Sequence, residues 1–432
     1  MYVANLKISG VRGFSGPRKI DLDFARREDG TYAGWTVLAG RNGSGKTTVL
    51  QALALVLAEP LLRGVVDTDT WPGFSTPAHD GEIAVELAVS AGFDIGRDST
   101  DLSLSLLWEG TSPDYGILFS ERPDEAPPWE LRPHQGWLLA GYGPFRRLSA
   151  ARLTREDTGQ GSRRAGLSTL FDEDEGLVEG ISWLLEQHLY RLEGKAGAAE
   201  LLATVLELLG DGLLPDGSQI FRVNSDGLWV RRSNREFPLR RMSDGYRTVT
   251  ALVLDIVRQM HVAYGTLIVE TQDGHPTLPY PGVVLIDEVD AHLHVSWQQK
   301  IGEWLKTHFP RIQFIVTTHS PYICQSASPG GLIRLPGPDE EDSPRVVDEN
   351  LHRRIVYGSG DDTVVTELFG VESPYSPRSD ELREDLGDLE IKVLEGVATP
   401  TEIEEYRRLS QELASSPATR VREVSQTLGY DS

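Results

Sequence analysis

The sequence predicts an α/β protein. It should have a mixed core sheet flanked by helices, an antiparallel β subdomain, a helical lobe and a short helical C-terminal region. Three observations predict this. First, the apolar run Trp35–Ala39 enters a glycine-rich turn, and Val49, Leu50, Leu53 and Leu57 then recur at helical spacing. Second, Val283–Ile286 is a continuous apolar run and Ile312–Thr317 a largely apolar one, as in buried strands, with an amphipathic stretch near Val295–Thr307 between them. Third, Ile83, Val85, Leu87 and Val89 alternate with polar or small residues, as do Leu102, Leu104 and Leu106, which is the period of a sheet with one wet face.

The elements follow in chain order. Val3, Leu6 and Ile8 make a first strand that ends in the turn Gly10–Gly13. Ile20, Leu22 and Phe24, alternating with Asp21 and Asp23, make a second. From Trp71 to Ser149 turns and short strands dominate, the last strand at Trp137–Ala140. Between Asp172 and Leu214, Leu177, Ile181, Leu184, Leu185 and Leu189, then Leu201, Leu202, Val205 and Leu209, have helical spacing, and Gly194 and Gly197 separate the two sets. That predicts a helical hairpin, with no heptad run long enough for a long coiled coil. A β-like segment at Ile220–Val230, a long helix at Asp244–Tyr264 and a loop or hairpin at 265–282 come next. Residues 336–344 have the composition of a linker. The expected organisation is a domain over 1–335, with the helical lobe inserted at about 172–247, and an acidic helical region over 336–432.

Composition bounds the function. Of 432 residues, 39% are hydrophobic, an ordinary globular share. Asp and Glu number 65 against 42 Lys and Arg, a net charge of −23, which excludes a uniformly basic nucleic-acid surface. Residues 337–432 carry 23 acids against 10 bases, a net of −13, so more than half of the excess lies there. Arginines gather instead in two places: Arg146, Arg147, Arg152, Arg155, Arg163 and Arg164, and Arg231, Arg232, Arg235, Arg240, Arg241 and Arg247. These are solvated or internally ion-paired faces, a DNA-backbone patch, or phosphate-neutralising groups at a subunit seam. The single cysteine, Cys324, excludes intrachain disulfides and a four-cysteine zinc site, and is expected to pack as a small apolar residue. The N-terminal residues show no leader pattern and no run approaches a membrane span, so a cytoplasmic location is expected.

Four segments carry chemistry. Gly40, Arg41, Asn42, Gly43, Ser44, Gly45, Lys46, Thr47 and Thr48 fit the phosphate-loop pattern between a strand and a helix. Backbone N–H groups turned inward and a new helix N-terminus favour phosphate oxygens. Lys46 is expected to reach the β- and γ-phosphates, and the Thr47 hydroxyl to ligate Mg²⁺. The strand Val283–Ile286 ends in Asp287 and Glu288, placed for the Mg²⁺ water shell and for activating a water. The strand ending at Thr317 leads to His319, able to donate to a phosphate oxygen. Ser243, Asp244 and Gly245 open the helix beginning near Asp244, where Ser243 is an N-cap, an anion contact, or both. His292 and His294 suggest no metal beyond Mg²⁺.

In this order the segments resemble the Walker A, signature, Walker B and switch-histidine elements of ABC-type ATPases. More narrowly, Asp287–His294 and Thr317–Pro321 are similar to the RecF/SMC-like and OLD-like branch of AAA family ATPases, as is the opening Leu6–Phe14. The resemblance covers roughly residues 1–335. It implies a P-loop ABC-type ATPase that binds ATP and Mg²⁺ and closes as a homodimer or higher homo-oligomer. It also implies that Ser243 and Gly245 of one chain reach the γ-phosphate held by the other. Asp244 stands where many relatives have Gly or Ser. Gln135 and the segment Gly141–Arg147 are the candidates for the family's glutamine loop. No long coiled coil argues for an SMC-type tether, and no Toprim-like acidic cluster or HNH motif is recognisable; an ATPase of this size with a short helical C-terminus resembles the ATPase subunits of Septu-type anti-phage systems. That resemblance implies a separate nuclease or effector partner, with DNA as a possible ligand and no membrane. A transporter's nucleotide-binding subunit and a non-hydrolysing ATP-locked scaffold are the alternatives. Val289 stands after Glu288 where transporter subunits usually carry proline.

Overall fold

The computed structural model describes residues 1–62, 81–89, 102–108, 115–120, 137–144, 166–172, 177 and 179–413. Gln135 and the arginines from Arg146 to Arg164 lie outside them. The described chain divides into two compact units, Met1–Tyr357 and Gly358–Ser432.

Two sheets organise the first unit. The five-stranded sheet runs in the order β2-β1-β4-β5-β6, from β1 (Tyr2–Ser9), β2 (Ile20–Asp23), β4 (Gly81–Ala88), β5 (Leu102–Trp108) and β6 (Tyr115–Ser120), all antiparallel. In β4 the residues alternate between buried and more exposed, so Ile83, Val85 and Leu87 line its dry face. The six-stranded core sheet runs β16-β15-β3-β14-β13-β7, from β3 (Gly34–Ala39), β7 (Leu138–Tyr142), β13 (Gly282–Ile286), β14 (Ile312–Thr317), β15 (Leu332–Arg334) and β16 (Arg345–Val346). Its first five strands in chain order pair in parallel, and only β16 runs against its neighbour. Every residue of β3, β13 and β14 is buried, as expected of parallel strands covered on both faces.

Helix α1 (Lys46–Leu62) packs against strands of both sheets. Apart from Gln51, residues Val49 to Ala58 are buried all round, so the helix has no wet face to supply polar residues. The dry face of the antiparallel sheet, α1 and one face of the core sheet form one hydrophobic core. Gln313 on β14 adds a polar tie. Its side-chain amide donates to the Val3 carbonyl at 2.9 Å, and its Oε1 accepts from the Val3 N–H at 2.8 Å. The register of β1 against β4 shifts at Val3, so these backbone groups turn to Gln313.

The helical lobe consists of α2 (Glu179–Leu192) and α3 (Ala198–Gly210), the predicted hairpin, followed by the three-stranded sheet β10-β9-β8. Those strands are β8 (Gln219–Asn224), β9 (Gly227–Arg232) and β10 (Arg235–Pro238). Helix α4 (Asp244–Tyr264) then packs along β7, where the Tyr142 hydroxyl donates to buried Asp255 at 2.9 Å. The segment 265–282 holds a two-stranded hairpin, β11 (Glu270–Gln272) and β12 (His275–Thr277). The amphipathic stretch near Val295–Thr307, expected as one helix, is two: α5 (Val295–Gln298) and α6 (Ile301–His308). Gln299 and Lys300 separate them, Lys300 with φ −113° and ψ −29°, and Trp297 is buried. A short helix, α7 (Pro321–Cys324), buries Cys324, and burial pushes its thiol pKa up, as suits a small apolar residue.

After Leu335 the chain returns one strand, β16, to the core sheet, then forms α8 (Glu349–Tyr357). The second unit contains α9 (Gly360–Val364), α10 (Pro377–Leu394) and α11 (Pro400–Glu412). Helix α11 starts with a full capping box between Thr399 and Glu402. Among the described residues no helix is long and apolar enough to cross a membrane.

The Gln313 tie gives a stability test. Gln313→Ala strands a buried N–H and a buried C=O of Val3, so it should cost about 2–4 kcal/mol. Urea unfolding should show a lower midpoint at unchanged slope. An unaltered midpoint would remove the tie from the fold's energetics.

Candidate functional site

The parallel strands β3, β14, β13 and β7 end side by side, and the chemistry-bearing residues follow their carboxyl ends. The loop 40–45 leaves β3 and enters α1. Gly40 has no room for a side chain, since a Cβ there would lie 2.2 Å from the Leu335 carbonyl oxygen. Gly45 has φ +94°, and a Cβ would meet the Phe14 ring at 2.5 Å. Phe14, from the turn after β1, thus forms the floor of the loop. Arg18 lies over that ring and donates to the carbonyls of Ser44 and Pro336, both at 3.2 Å. No local pattern around the loop marks these supports, because they come from the β1–β2 connection.

Lys46 is buried, and its Nζ donates to the carbonyls of Gly40 at 2.8 Å and Arg41 at 3.0 Å. Burial pushes its pKa down, while Asp287, Glu288 and Asp290 pull it up. The Ser44 hydroxyl is fully buried and has no hydrogen-bond partner. Arg41, Asn42, Gly43 and Thr47 are exposed, and Thr48 is half-buried.

Asp287 is 1% exposed and joins four chain segments. Its carboxylate accepts from the Thr47 hydroxyl at 2.7 Å and from the Thr317 hydroxyl, and its N–H donates to the Tyr142 carbonyl at 2.7 Å. The Thr317 hydroxyl in turn accepts from the Glu288 N–H at 2.7 Å. Glu288 is half-buried with φ +43°, an unusual backbone for a residue with a Cβ. Asp290 accepts from the Thr318 hydroxyl and from the His319 N–H at 3.3 Å. The Ser320 hydroxyl donates to Gln298 at 2.7 Å. The segments that carry Asp287 and His319 are therefore stitched together residue by residue. Thr317, Asp290 and Gln298 had no assigned role in the sequence reading. Their only signal there was position, one strand end beside another.

The residues brought together are thus Lys46, Thr47, Asp287, Glu288 and His319. Ser243–Gly245 stand apart: among the described residues no hydrogen bond joins them to the loop 40–48. Ser243 occupies the N-cap position of α4 but makes no side-chain capping bond. Asp244 pairs with Arg247 at 2.7 Å. A Cβ on Gly245 would lie 2.4 Å from the His292 carbonyl oxygen, so the helix start needs glycine to sit against that segment. His294 caps α5 by accepting from the Ser296 N–H.

These residues fit a nucleotide phosphate with a divalent cation. The orphaned Ser44 hydroxyl and the inward Lys46 suit phosphate oxygens, and the Thr47–Asp287 oxygen pair suits a hard cation.

Fold and site together resemble an ABC-type ATPase domain of the RecF/SMC-like, AAA kind. Residues 5–87 match an AAA domain family, and residues 189–325 match the family described as "AAA domain, putative AbiEii toxin, Type IV TA system". Within that class the chain resembles the Septu defence ATPases. It is 27% identical over 312 residues to the Septu protein PtuA of Bacillus mycoides (strain KBAB4), covering 72% of this chain and 37% of the relative. It is 42% identical over 99 residues to the Retron Ec83 probable ATPase of Escherichia coli, covering 23% of this chain and 17% of the relative. The matched region therefore spans well under half the length of these relatives. Among solved structures, an SMC head bound to the C-winged helix domain of ScpA aligns over 80% of this chain and 97% of that one, at 17% identity and TM-score 0.47.

His319 offers a direct probe. Burial pushes its pKa below the usual value and Lys46 adds to this, while Asp290, Glu288 and Asp287 oppose it. The folded chain then resists protonation more than the unfolded chain, so the stability linked to neutral His319 is lost as pH falls from the usual value through the lowered one. In nucleotide-free protein the His319 ring resonances, assigned with His319→Gln, should titrate with a midpoint below about 6.5. A midpoint at or above that would contradict the described surroundings.

Proposed function

We propose that the chain is an ATP-hydrolysing, nucleotide-gated ATPase that works as a homodimer and regulates a separate nuclease or effector in anti-phage defence or DNA metabolism. The observation that supports it most is the hydrogen-bonded chain Thr47–Asp287–Thr317–Glu288. It joins the phosphate loop to the two acids across three strand ends. The likeness to Septu and retron ATPases supports the defence setting.

The loop 40–48 binds the triphosphate through backbone N–H groups, Lys46 and the Ser44 hydroxyl. Mg²⁺, when bound, neutralises the phosphate charge beside Thr47 and Asp287. Glu288 orients the attacking water and takes its proton. Thr317 holds Asp287 and the Glu288 backbone in fixed relation. His319, kept neutral, donates a hydrogen bond toward the terminal phosphate. Ser243 and Gly245 serve a second protomer's nucleotide. The unused Ser243 hydroxyl and the start of a 21-residue helix support that role.

The division of labour follows the sequence. The ATPase work belongs to the domain expected over 1–335. The acidic helical region over 336–432 serves docking or assembly. In the second arginine group, Arg231, Arg232 and Arg247 pair with acids. Arg235, Arg240 and Arg241 are exposed with no ion pair among the described residues, so they are the groups left for a DNA backbone or a partner.

Two variants test this reading. Lys46→Ala should abolish nucleotide binding in calorimetry. Glu288→Gln should keep binding, lose turnover and accumulate a dimer in size-exclusion chromatography with ATP and Mg²⁺. A monomer peak for Glu288→Gln that ATP leaves unchanged would end the dimer model, and micromolar ATP affinity in Lys46→Ala would end the loop assignment.

A further inference from the structure

We propose that Asp211, His275 and His308 form a transition-metal site of the zinc type, which ties the helical hairpin and the β11–β12 hairpin to the core sheet. The three come from distant parts of the chain. Asp211 follows the C-terminus of α3, His275 opens β12, and His308 ends α6. Their candidate ligand atoms all lie within 4.8 Å of one another. Asp211 Oδ2 is 2.7 Å from His275 Nδ1 and 3.0 Å from His308 Nε2.

The tautomer of His308 carries the argument. Its Nδ1 lies 2.8 Å from the Trp304 carbonyl oxygen, which can only accept, so Nδ1 holds a proton. A neutral His308 then turns the Nε2 lone pair toward a carboxylate oxygen, placing two acceptors face to face. The His308 side chain is 2% exposed. A cation shared by the two acceptors resolves their contact. Metal-bound imidazoles characteristically donate their other nitrogen to a backbone carbonyl, as His308 does here.

The surroundings hold these groups in place. The Trp304 ring stacks on His308 at 4.0 Å between centroids, and its Nε1 donates to the Asp211 carbonyl at 2.7 Å. One side chain thus positions two ligands. An ion at about 2.0–2.2 Å from each donor needs donor atoms roughly 3.3 Å apart in tetrahedral geometry. Asp211 Oδ2 at 3.0 Å from His308 Nε2 and 2.7 Å from His275 Nδ1 sits closer than that, so an ion would spread the three groups slightly. Two imidazoles and one carboxylate favour zinc-like ions over Mg²⁺ and Ca²⁺. Asp211 and His275 are part-exposed, which leaves the fourth position to water.

The site is separate from the nucleotide site. His308 precedes the amino end of β14, whereas Thr317 and His319 lie at its carboxyl end. Six strand residues, about 20 Å, lie between. The proposal does not depend on ATP hydrolysis.

The test uses the full chain, stripped with chelator and free of nucleotide. Calorimetric titration with Zn²⁺ should show one tight equivalent per chain. Co²⁺ should give the intense visible absorption of a tetrahedral site, and excess Mg²⁺ should leave it unchanged. Zn²⁺ should raise the melting temperature of the wild type. His275→Ala, at a part-exposed position, should lose more affinity than the roughly 10–100-fold typical of outer-shell changes. Trp304→Phe should fall within that range. Three outcomes would overturn the proposal: no Zn²⁺ binding by the wild type at micromolar concentration, a weak Co²⁺ spectrum displaced by Mg²⁺, or affinity unchanged in a folded His275→Ala. The first two need no variant, so a misfolded variant leaves the test intact.

Discussion

A single buried carboxylate holds the candidate site together. Asp287 receives hydroxyls from the start of α1 and the end of β14, and its N–H meets the end of β7. A charge removed from water is tolerable only when its oxygens are fully hydrogen-bonded, so each of these partners is needed for the others to stay in place. The geometry follows from the parallel sheet. Parallel strands all finish at one edge, and their crossover helices begin there, so polar loops and helix N-termini collect on one side of an apolar core.

The same economy appears beneath the loop. Phe14 and Arg18 support Gly45 and Ser44 from a connection between two antiparallel strands. The antiparallel sheet is therefore more than a cover for α1, because the connection between its strands carries the floor of the loop 40–45. Gln313 ties that sheet to β14, whose far end carries Thr317. Packing and site geometry are thus the same set of contacts read at two ends of one strand.

Much of this was legible in the sequence. The loop 40–48 could be read because its glycines, Lys46 and Thr47 are contiguous and their spacing is dictated by phosphate geometry. The strands β3, β13 and β14 could be read because burial on both faces leaves the runs mostly apolar, with Thr36, Gln313 and Thr317 as the polar exceptions. The long helix α4 could be read from its periodicity and its start at Ser243. The break at Lys300 could not, because α5 and α6 share one apolar stripe and only local backbone angles separate them. Thr317, Asp290 and Gln298 were invisible as a set, since each bonds to a residue more than twenty positions away or to a turn it helps define.

The sequence by itself determined which groups are candidates for the chemistry: an apolar strand, a glycine-rich loop, a lysine and strand-end acids at that spacing. It determined the charge layout too, with the acidic excess gathered after residue 336. Only the tertiary structure decided which groups meet. It placed Thr317 on Asp287, set Gly245 against the His292 carbonyl, and brought Asp211, His275 and His308 within reach of one ion. Local sequence encodes hydrophobic period and backbone preference. Side-chain partnerships across some 30 to 310 residues depend on how the sheets and helices stack, and no local pattern carries that information.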